Sequence, residues 1–351
     1  MLCLLDAEEL VARDHPLRAI KALADTALAS MSPFLDAMYA SGGRASVPPE
    51  VLLKAKLLAA LFSVRSDRQL CEQLRYNLLY RWFLDLDMLG DAFDHSTFSK
   101  NQDRLLAHDA AGQFFATVVA QAKAKGLMSE DHFSVDGTLI QALASMKSFR
   151  PKDDDDDDDG DNNGWSDFRG HKRSNETHSS KTDPEAKLAR KGHGQEAKLC
   201  FSGHALMENR NGLLADVRVL EANGFAEREA AIAMLDDRST GNAPTTLGAD
   251  KGYDTKDFVA ACRDRGVTPH VAKNEHARRR SSIDGRTTRH PGHGVSQVVR
   301  RRIEQIFGWM KTVGGLRRSR WRGAAKTQLA AYLVGTAYNL LRIARLAASA
   351  P

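Results

Sequence analysis

The stretch FSVDGTLIQA, residues 133–142, places a carboxylate inside an apolar strand pattern. Phe133, Val135 and Leu139 alternate as in a half-buried strand, and Asp136 stands in the middle of them. A buried charge is costly unless another group pairs with it. A single aspartate at a strand is often only a cap or a turn residue. If Asp136 has a function, its partners must come from other parts of the chain.

The composition indicates a soluble protein of one or two domains. The chain has 351 residues, of which 42% are hydrophobic and 27% charged. Acidic and basic residues interrupt its start, so no secretory signal is expected. The segment LAAYLVGTAYNLL (329–341) is too short to cross a bilayer and is expected to be a core helix. We therefore expect a cytoplasmic protein without membrane contact, whose four separated cysteines stay reduced.

Charge is distributed very unevenly along the chain. Residues 153–167 carry nine aspartates and no basic residue, whereas residues 276–351 carry sixteen Lys and Arg against Asp284 and Glu304. A tail of this charge favours a polyanionic partner, with nucleic acid as the first candidate. A basic surface that binds anions nonspecifically is the alternative.

The pattern of apolar residues changes near residue 129 from helical to strand-like. Residues 1–128 are predicted to form a helical N-terminal domain for DNA binding or dimerisation, and residues 129–351 an α/β domain. Ser66 and Gln69 form a capping-box pattern there, which fits either a helix-turn-helix or a plain helical bundle. The predicted strands of the second domain are 132–140, 198–209, 212–222, 245–250 and 267–272, and its first helices are 224–237 and 255–265. This order predicts a mixed sheet flanked by helices.

An acidic insert, residues 150–196, separates the first two predicted strands. Its seven consecutive aspartates, 153–159, repel one another and cannot pack, so the front of the insert is expected to be disordered. His193, Cys200 and His204 come nearest to a zinc cluster, but no fourth ligand is evident. His204 could instead approach the active site from the second strand.

Two further carboxylates are candidates for a metal site, one at the end of a predicted strand and one in a predicted helix. Asp250 ends the fourth strand, in LGADKGYDT, and Glu304 lies in VSQVVRRRIEQIFGWMK, a predicted amphipathic helix with Val295 and Val298 on its apolar side. Offsets of four and seven residues put Arg300, Glu304 and Lys311 on one helical face. A surface ladder of ion pairs would give the same pattern. Carboxylates from separate elements are also what two Mg²⁺ or Mn²⁺ ions need in phosphodiester cleavage.

Several blocks of the sequence resemble one known family. SVDGTLI, GADKGYD and RRRIEQIFGWMKTVGGLRR are similar to the blocks that hold the D-D-E triad of bacterial insertion-sequence transposases, in particular the insertion-sequence-five group. VPPEVLLKAKLLAALFSVRSDRQLCEQLRYNLLYRWFLDLD and HSTFSKNQDRL resemble the helical domain that precedes the catalytic core there. The resemblance covers about residues 45–345. A related group carries a Y-R-E-K signature, in which Gln297 stands here at the tyrosine position.

The resemblance implies an RNase H-like fold and a DNA transposase. Asp136, Asp250 and Glu304 would be its catalytic residues and would hold two Mg²⁺ or Mn²⁺ ions. The enzyme would bind the terminal inverted repeats of its element as a homodimer, and would cleave and transfer strands without a nucleotide cofactor. The alternatives are a metal-dependent nuclease that does not join DNA and a domesticated DNA-binding protein on the same scaffold.

Basic and aromatic residues near the triad are candidates for DNA contacts. The RRR run at 278–280 lies in a polar loop and could contact phosphates. Tyr253 could touch DNA or form the turn after Asp250, and Trp309 is expected in the core. The residues expected to contact DNA are Arg300, Lys311, Arg317, Arg318, Arg320, Arg322, Lys251 and Trp321.

Overall fold

The structure, a computed structural model, describes residues 7–38, 47–87, 90–152, 173–192, 194–238, 244–275 and 280–349. The aspartate run at 153–159, His193 and residues 278–279 lie outside the described residues, so the expectations for them stay predictions.

The N-terminal part of the chain is helical, as its apolar pattern predicts. The Ser66 hydroxyl accepts a hydrogen bond from Gln69 N at 3.1 Å, which confirms a side-chain cap at this helix start. The Gln69 side chain in turn accepts from Arg65 N at 3.1 Å. The helices are α1 (Ala7–Leu10), α2 (Pro16–Ser30), α3 (Ser32–Asp36), α4 (Pro49–Leu61), α5 (Asp67–Tyr76), α6 (Leu78–Phe83), α7 (His95–Ala107) and α8 (Ala110–Ala124).

A mixed β-sheet forms the centre of the second half. Across the sheet the strands follow in the order β6 (Leu214–Glu221), β5 (Lys198–Glu208), β1 (His132–Gln141), β7 (Thr245–Ala249) and β8 (Val267–Val271). A short strand, β4 (Lys187–Ala189), lies beside the start of β5. The β6–β5 and β5–β1 pairs are antiparallel, whereas β1–β7 and β7–β8 are parallel. This is the expected RNase H-like sheet. The remaining strands, β2 (Phe149–Pro151) and β3 (His178–Ser180), form a separate two-stranded sheet.

One predicted helix is broken in two. The segment expected to be continuous through 295–311 forms two helices joined by a 3₁₀ turn at Arg300–Arg302. Val295 and Val298 are 62% and 68% exposed, so their assignment to the apolar side is wrong. The reason is that Ser296, not a valine, faces the sheet, where it bonds His270 Nδ1 at 2.7 Å. The helices of this half are α9 (Ala226–Asp236), α10 (Lys256–Asp264), α11 (Gly285–Thr288), α12 (Pro291–Val299), α13 (Ile303–Thr312) and α14 (Ala324–Ala348).

The last helix, α14, connects the N-terminal helices to the sheet. It packs on α2, α4 and α8 and also on β6. The buried Asn339 of α14 accepts from Leu214 N and donates to Leu214 O, both at 2.9 Å. A single apolar cluster therefore runs from the N-terminal helices through α14 to β5 and β6. The boundary at residue 128 stays a prediction.

The opposite face of the sheet has an apolar cluster of its own, under α9 and α10. None of the helices described, α14 included, combines the length and apolar character needed to cross a membrane.

Candidate active site

The strand pairing brings Asp136 and Asp250 to the same level of the sheet. β1 and β7 are parallel neighbours, with Ser134 paired to Gly248. Asp136 and Asp250 each follow two residues later, and neighbouring strands are about 4.8 Å apart. The Asp250 Oδ1 also accepts from Gly252 N at 2.7 Å and so fixes the turn after β7. Two residues that are far apart in sequence are thus adjacent in the fold.

The environment of Asp136 disfavours its charged form. Burial, foremost, raises the pKa of Asp136 to about 6, and the negative charges of Asp250 and Glu227 act in the same direction. A hydrogen bond from Gly137 N at 2.8 Å and the positive charge of Arg300 act the other way. The net result is a carboxyl group short of positive charge.

Glu304, the third predicted carboxylate, is exposed in the first turn of α13. Among the described residues, Glu304 has no ion-pair partner and its side chain makes no hydrogen bond. Its helix nevertheless lies along β1, because Lys311 Nζ donates to Thr138 Oγ1 at 2.6 Å. Thr138 is on the same face of β1 as Asp136. The structure thus puts Glu304 on a helix that follows the strand of Asp136, without a contact between the two carboxylates.

Arg300 is fixed by the residue that replaces the signature tyrosine. Arg300 Nε donates to Gln297 Oε1 at 2.9 Å, and Gln297 Nε2 donates to the His270 carbonyl at 2.6 Å. This connects Arg300 to β8. The Arg300 Cβ lies 3.6 Å from the point where a side chain on Gly248 would begin, so the arginine enters the site beside β7.

Sequence reasoning missed one carboxylate, that of Glu227 at the start of α9. Although the residue is exposed, its Cγ and Oε1 lie 3.0 Å from the point where a Cβ on Gly137 would stand. Desolvation and the charge of Asp250 raise the pKa of Glu227. An acidic residue in a first helical turn is usually explained by the helix dipole, so the sequence offered no distinctive signal.

Two buried polar groups near these carboxylates have no hydrogen-bond partner among the described residues. They are the Tyr253 hydroxyl and both ring nitrogens of His204. His204 Nδ1 is 3.1 Å from the same virtual Cβ position on Gly137, and burial lowers the pKa of His204 to about 4. His204 therefore does approach the site from β5. Tyr253 is 0% exposed, which makes a direct DNA contact by this residue wrong.

The donor set suits a divalent ion with oxygen ligands. Asp136, Asp250, Glu227 and Glu304 offer carboxylates, the ligands that Mg²⁺ and Mn²⁺ prefer. In the described residues, no three His, Cys, Asp or Glu side chains are already grouped closely enough to hold a metal. The pKa of Asp136 and the unpartnered Tyr253 hydroxyl both show a need for positive charge and hydrogen-bond partners that an ion with its water would meet.

Several of the predicted DNA-binding residues line one groove. This groove, of about 810 Å³, lies between the N-terminal helices and the loop before α14. Arg318 donates to the carbonyls of Ala142 and Leu143 at 3.1 and 2.7 Å, and Arg320 to that of Val64 at 2.7 Å. The charged and aromatic lining residues include Lys56, Arg65, Arg317, Arg318, Arg320 and Trp321.

The other predicted DNA contacts lie elsewhere. Lys251 and Arg322 are exposed and do not line the groove. Trp321 is half-buried with Lys56 Nζ 5.4 Å from its ring centre, and it packs against the main core. Trp309 packs against Tyr338 of α14, in the core as expected.

Comparison with known proteins places the chain in a family. Residues 129–340 match the model of the transposase DDE domain, and residues 5–104 match a transposase domain (DUF772). No curated protein matches the sequence significantly.

Three solved structures are similar to the chain at low identity. A cryo-EM structure of a piggyBac transposase synaptic complex with hairpin DNA has a TM-score of 0.40 at 10% identity, covering 96% of this chain and 82% of that one. A Mos1 strand transfer complex has a TM-score of 0.21 at 7% identity, covering 87% and 80%. A pre-cleavage Mos1 transpososome has a TM-score of 0.20 at 9% identity, covering 87% and 82%. Similarity at this level establishes nothing about the chemistry of this chain.

The family match spans the whole sheet, both aspartates of its centre and the helix of Glu304. The chain therefore belongs to the transposase DDE domain family and is an insertion-sequence transposase of the DDE superfamily, an enzyme that acts on DNA phosphodiesters.

Proposed function

We propose that this transposase binds the terminal inverted repeats of its element as a homodimer, cleaves the DNA at their ends and transfers the freed strands to target DNA. Asp136, Asp250 and Glu304 are the proposed catalytic residues. The observation that carries the proposal is the common level of Asp136 and Asp250 on adjacent parallel strands, with the helix of Glu304 alongside.

Each proposed reaction replaces one P–O bond by another. In cleavage, a water oxygen bonds to phosphorus and the 3′-oxygen leaves, which gives a 3′-hydroxyl and a 5′-phosphate. In transfer, that 3′-hydroxyl bonds to a phosphorus of the target and a target 3′-oxygen leaves. Neither step needs nucleotide hydrolysis, because hydrolysis of a phosphodiester is itself favourable and transfer conserves the number of phosphodiester bonds.

The side chains of the site have separate parts in this chemistry. The three carboxylates would hold two Mg²⁺ or Mn²⁺ ions, which activate the attacking oxygen and stabilise the leaving one. Arg300, whose Nε is bonded to Gln297 and whose Cβ is near Gly248 of β7, would bind a phosphate of the DNA. Lys311, placed against Thr138, is available for a second phosphate.

The basic groove is the proposed path of the DNA beyond the reacting bond. Gln141 at the end of β1 lines it. Gln141 lies five positions after Asp136 along β1, a distance of about 17 Å, or some five base pairs of duplex. Arg317 and its neighbours would then hold the backbone of the terminal repeat while its end reaches the carboxylates.

Cleavage of the element's own ends tests the proposal. The full chain is incubated with a labelled duplex of the flanking end and Mg²⁺, with Glu304→Gln and Glu229→Gln alongside. Glu229 is an exposed glutamate of α9 and serves as a control for the lost charge. Wild type and Glu229→Gln are expected to cut, and Glu304→Gln to cut about 100-fold more slowly or worse. Equal cleavage by all three would remove Glu304 from the mechanism.

A pre-cut end with a free 3′-hydroxyl separates the proposal from its alternatives. Joining of that end to target DNA identifies the transfer activity. Cleavage without joining would indicate a nuclease, and binding with neither would indicate a DNA-binding scaffold.

A further inference from the structure

We propose that Glu227 is a fourth carboxylate of the metal site and binds a divalent cation together with Asp136 and Asp250. This inference rests on the proposed function, because it concerns the same ions. It assigns a role to a residue outside the D-D-E set, on a helix that the triad does not use.

The start of α9 is held against the turn that follows Asp250. Arg228 Nη1 donates to the Gly252 carbonyl at 3.2 Å, which connects the residue after Glu227 to the turn. Asn223 Oδ1 accepts from Phe225 N and Ala226 N, at 2.8 and 2.5 Å, and fixes the helix entry. Ala226 is fully buried. Glu227 therefore projects from a fixed backbone, and its position beside Asp250 does not depend on a mobile loop end.

Glycine at position 137 provides the space into which Glu227 reaches. The Glu227 Oε1 and His204 Nδ1 lie 3.0 and 3.1 Å from the point where a Cβ would stand there. Gly137 directly follows Asp136 in β1, so Glu227 lies beside the same stretch of the strand, on the face opposite to the one from which the Asp136 side chain starts. The charge of Glu227 acts on Asp136 and that of Asp250 acts on Glu227, which agrees with their positions around this end of β1 and β7.

Unpartnered polar groups near these carboxylates indicate a ligand. The Tyr253 hydroxyl is fully buried and has no hydrogen-bond partner among the described residues, although the charges of Glu227, Asp136 and Asp250 all act on it. Both ring nitrogens of His204 are also buried and have no hydrogen-bond partner among the described residues. A buried polar group without a partner is costly. A hydrated cation held by the carboxylates would bring water molecules to which these groups can bond.

The basic residues nearby do not remove the need for a cation. Arg300 uses its Nε for Gln297, and Arg228 uses its Nη1 for a main-chain carbonyl. Three carboxylates thus face two guanidinium groups that also serve other acceptors. The competing explanation is that Glu227 only stabilises the N-terminus of α9, as Glu229 in the same turn would.

Binding of Mn²⁺ to the full chain without DNA tests the assignment directly. Mn²⁺ affinity is measured by calorimetry, and the bound ion by electron paramagnetic resonance, for wild type, Glu227→Gln, Glu229→Gln and Asp136→Asn. We expect Glu227→Gln to bind at least 10-fold more weakly than wild type and Glu229→Gln to bind equally. Asp136→Asn is expected to lose the site. Circular dichroism and thermal unfolding check that each variant is folded.

A second variant tests the same geometry without changing a charge. Gly137→Ala adds a methyl group where the Glu227 carboxylate now lies, and is expected to weaken Mn²⁺ binding at least 3-fold while Glu227 is present and not in a Glu227→Gln background. Wild-type affinity in Glu227→Gln, with binding lost in Asp136→Asn, would overturn the role of Glu227 and leave the proposed function standing. Absence of Mn²⁺ binding by wild type, with or without the DNA end, would overturn the metal-dependent function itself.

Discussion

The half-buried carboxyl group of Asp136 lowers the stability of the folded chain at neutral pH. Its pKa is raised in the folded state, so the folded chain binds a proton more tightly than the unfolded chain does. The contribution of this group to stability is greatest below the pKa of an unfolded aspartate, near pH 4. This stabilising contribution is lost as the pH rises to about 6. Above that pH the charged carboxylate lowers the free energy of unfolding by a constant amount.

Replacing Asp136 should therefore stabilise the metal-free protein. Asp136→Asn is expected to raise the free energy of unfolding by about 2–3 kcal/mol at pH 8, and by little at pH 4. Urea unfolding in EDTA at the two pH values measures the difference. Asp131→Asn, at an exposed position just before β1, should change stability by less than about 0.5 kcal/mol. A less stable Asp136→Asn at pH 8 would contradict the argument.

The break between α12 and α13 determines how the helix of Glu304 meets the sheet. The 3₁₀ turn at Arg300–Arg302 winds more tightly than an α-helix, so the face predicted from a period of 3.6 is not kept across it. Before the break, Ser296 and Gln297 bond to His270 of β8; after it, Lys311 bonds to Thr138 of β1. The two helices thus contact different strands, with Glu304 just past the bend.

The turn that ends α13 requires glycine at position 314. A Cβ there would stand 2.8 Å from the Met310 carbonyl oxygen and would also meet Val334 of α14. Gly314→Ala is expected to lower the free energy of unfolding by about 1–3 kcal/mol, since neither backbone nor core can give way cheaply.

Gly308→Ala in the same helix is the matched control. Outside its chain neighbours and the backbone of its own helix, no atom of the described residues lies within 4 Å of the added Cβ. Alanine also favours a helix interior by about 1 kcal/mol over glycine. This variant should be as stable as wild type or more so in chemical denaturation. Equal losses in the two variants would show that close packing at Gly314 is not the cause.

Across the entire chain, α14 makes the N-terminal helices and the sheet share one core. Helix packing on one side and the Asn339–Leu214 hydrogen bonds on the other fix α14, whose residues Ala330, Leu333 and Val334 line the basic groove. The insert contributes as well: Asp183 and Glu185 accept from the Gly323 and Ala324 amides, at 3.1 and 2.6 Å, at the start of α14. The N-terminal helices, the end of β1 and the segment from Gly314 into α14 thus line the groove together, and the insert fixes the start of α14.

Arg317 of the groove should contribute to DNA affinity through the phosphates alone. Arg317→Ala is expected to weaken binding to a terminal duplex and to an unrelated duplex alike, and to lower the slope of log K against log salt concentration by about 1. Fluorescence anisotropy over a salt series measures both. Arg345→Ala, an exposed arginine at the far end of α14, loses the same charge and should leave the slope unchanged. An equal effect at both positions would mean that net charge, not the groove, binds DNA.

The sequence by itself determined the helical first half and the five core strands to within one or two residues, and it singled out Asp136 and Asp250 on two of those strands. It did not predict β2, β3, β4 or α11. Period-two alternation and residues that end strands are local signals, and they survive folding because each strand buries one face. Tertiary structure alone decided what surrounds those aspartates. Glu227 enters the site because α9 packs on β5 and β6 and also reaches β1. Tyr253 is buried in the core beneath α9 and α10, and the helix of Glu304 bends at Arg300. These depend on contacts between residues far apart in sequence, and no local pattern encodes such contacts.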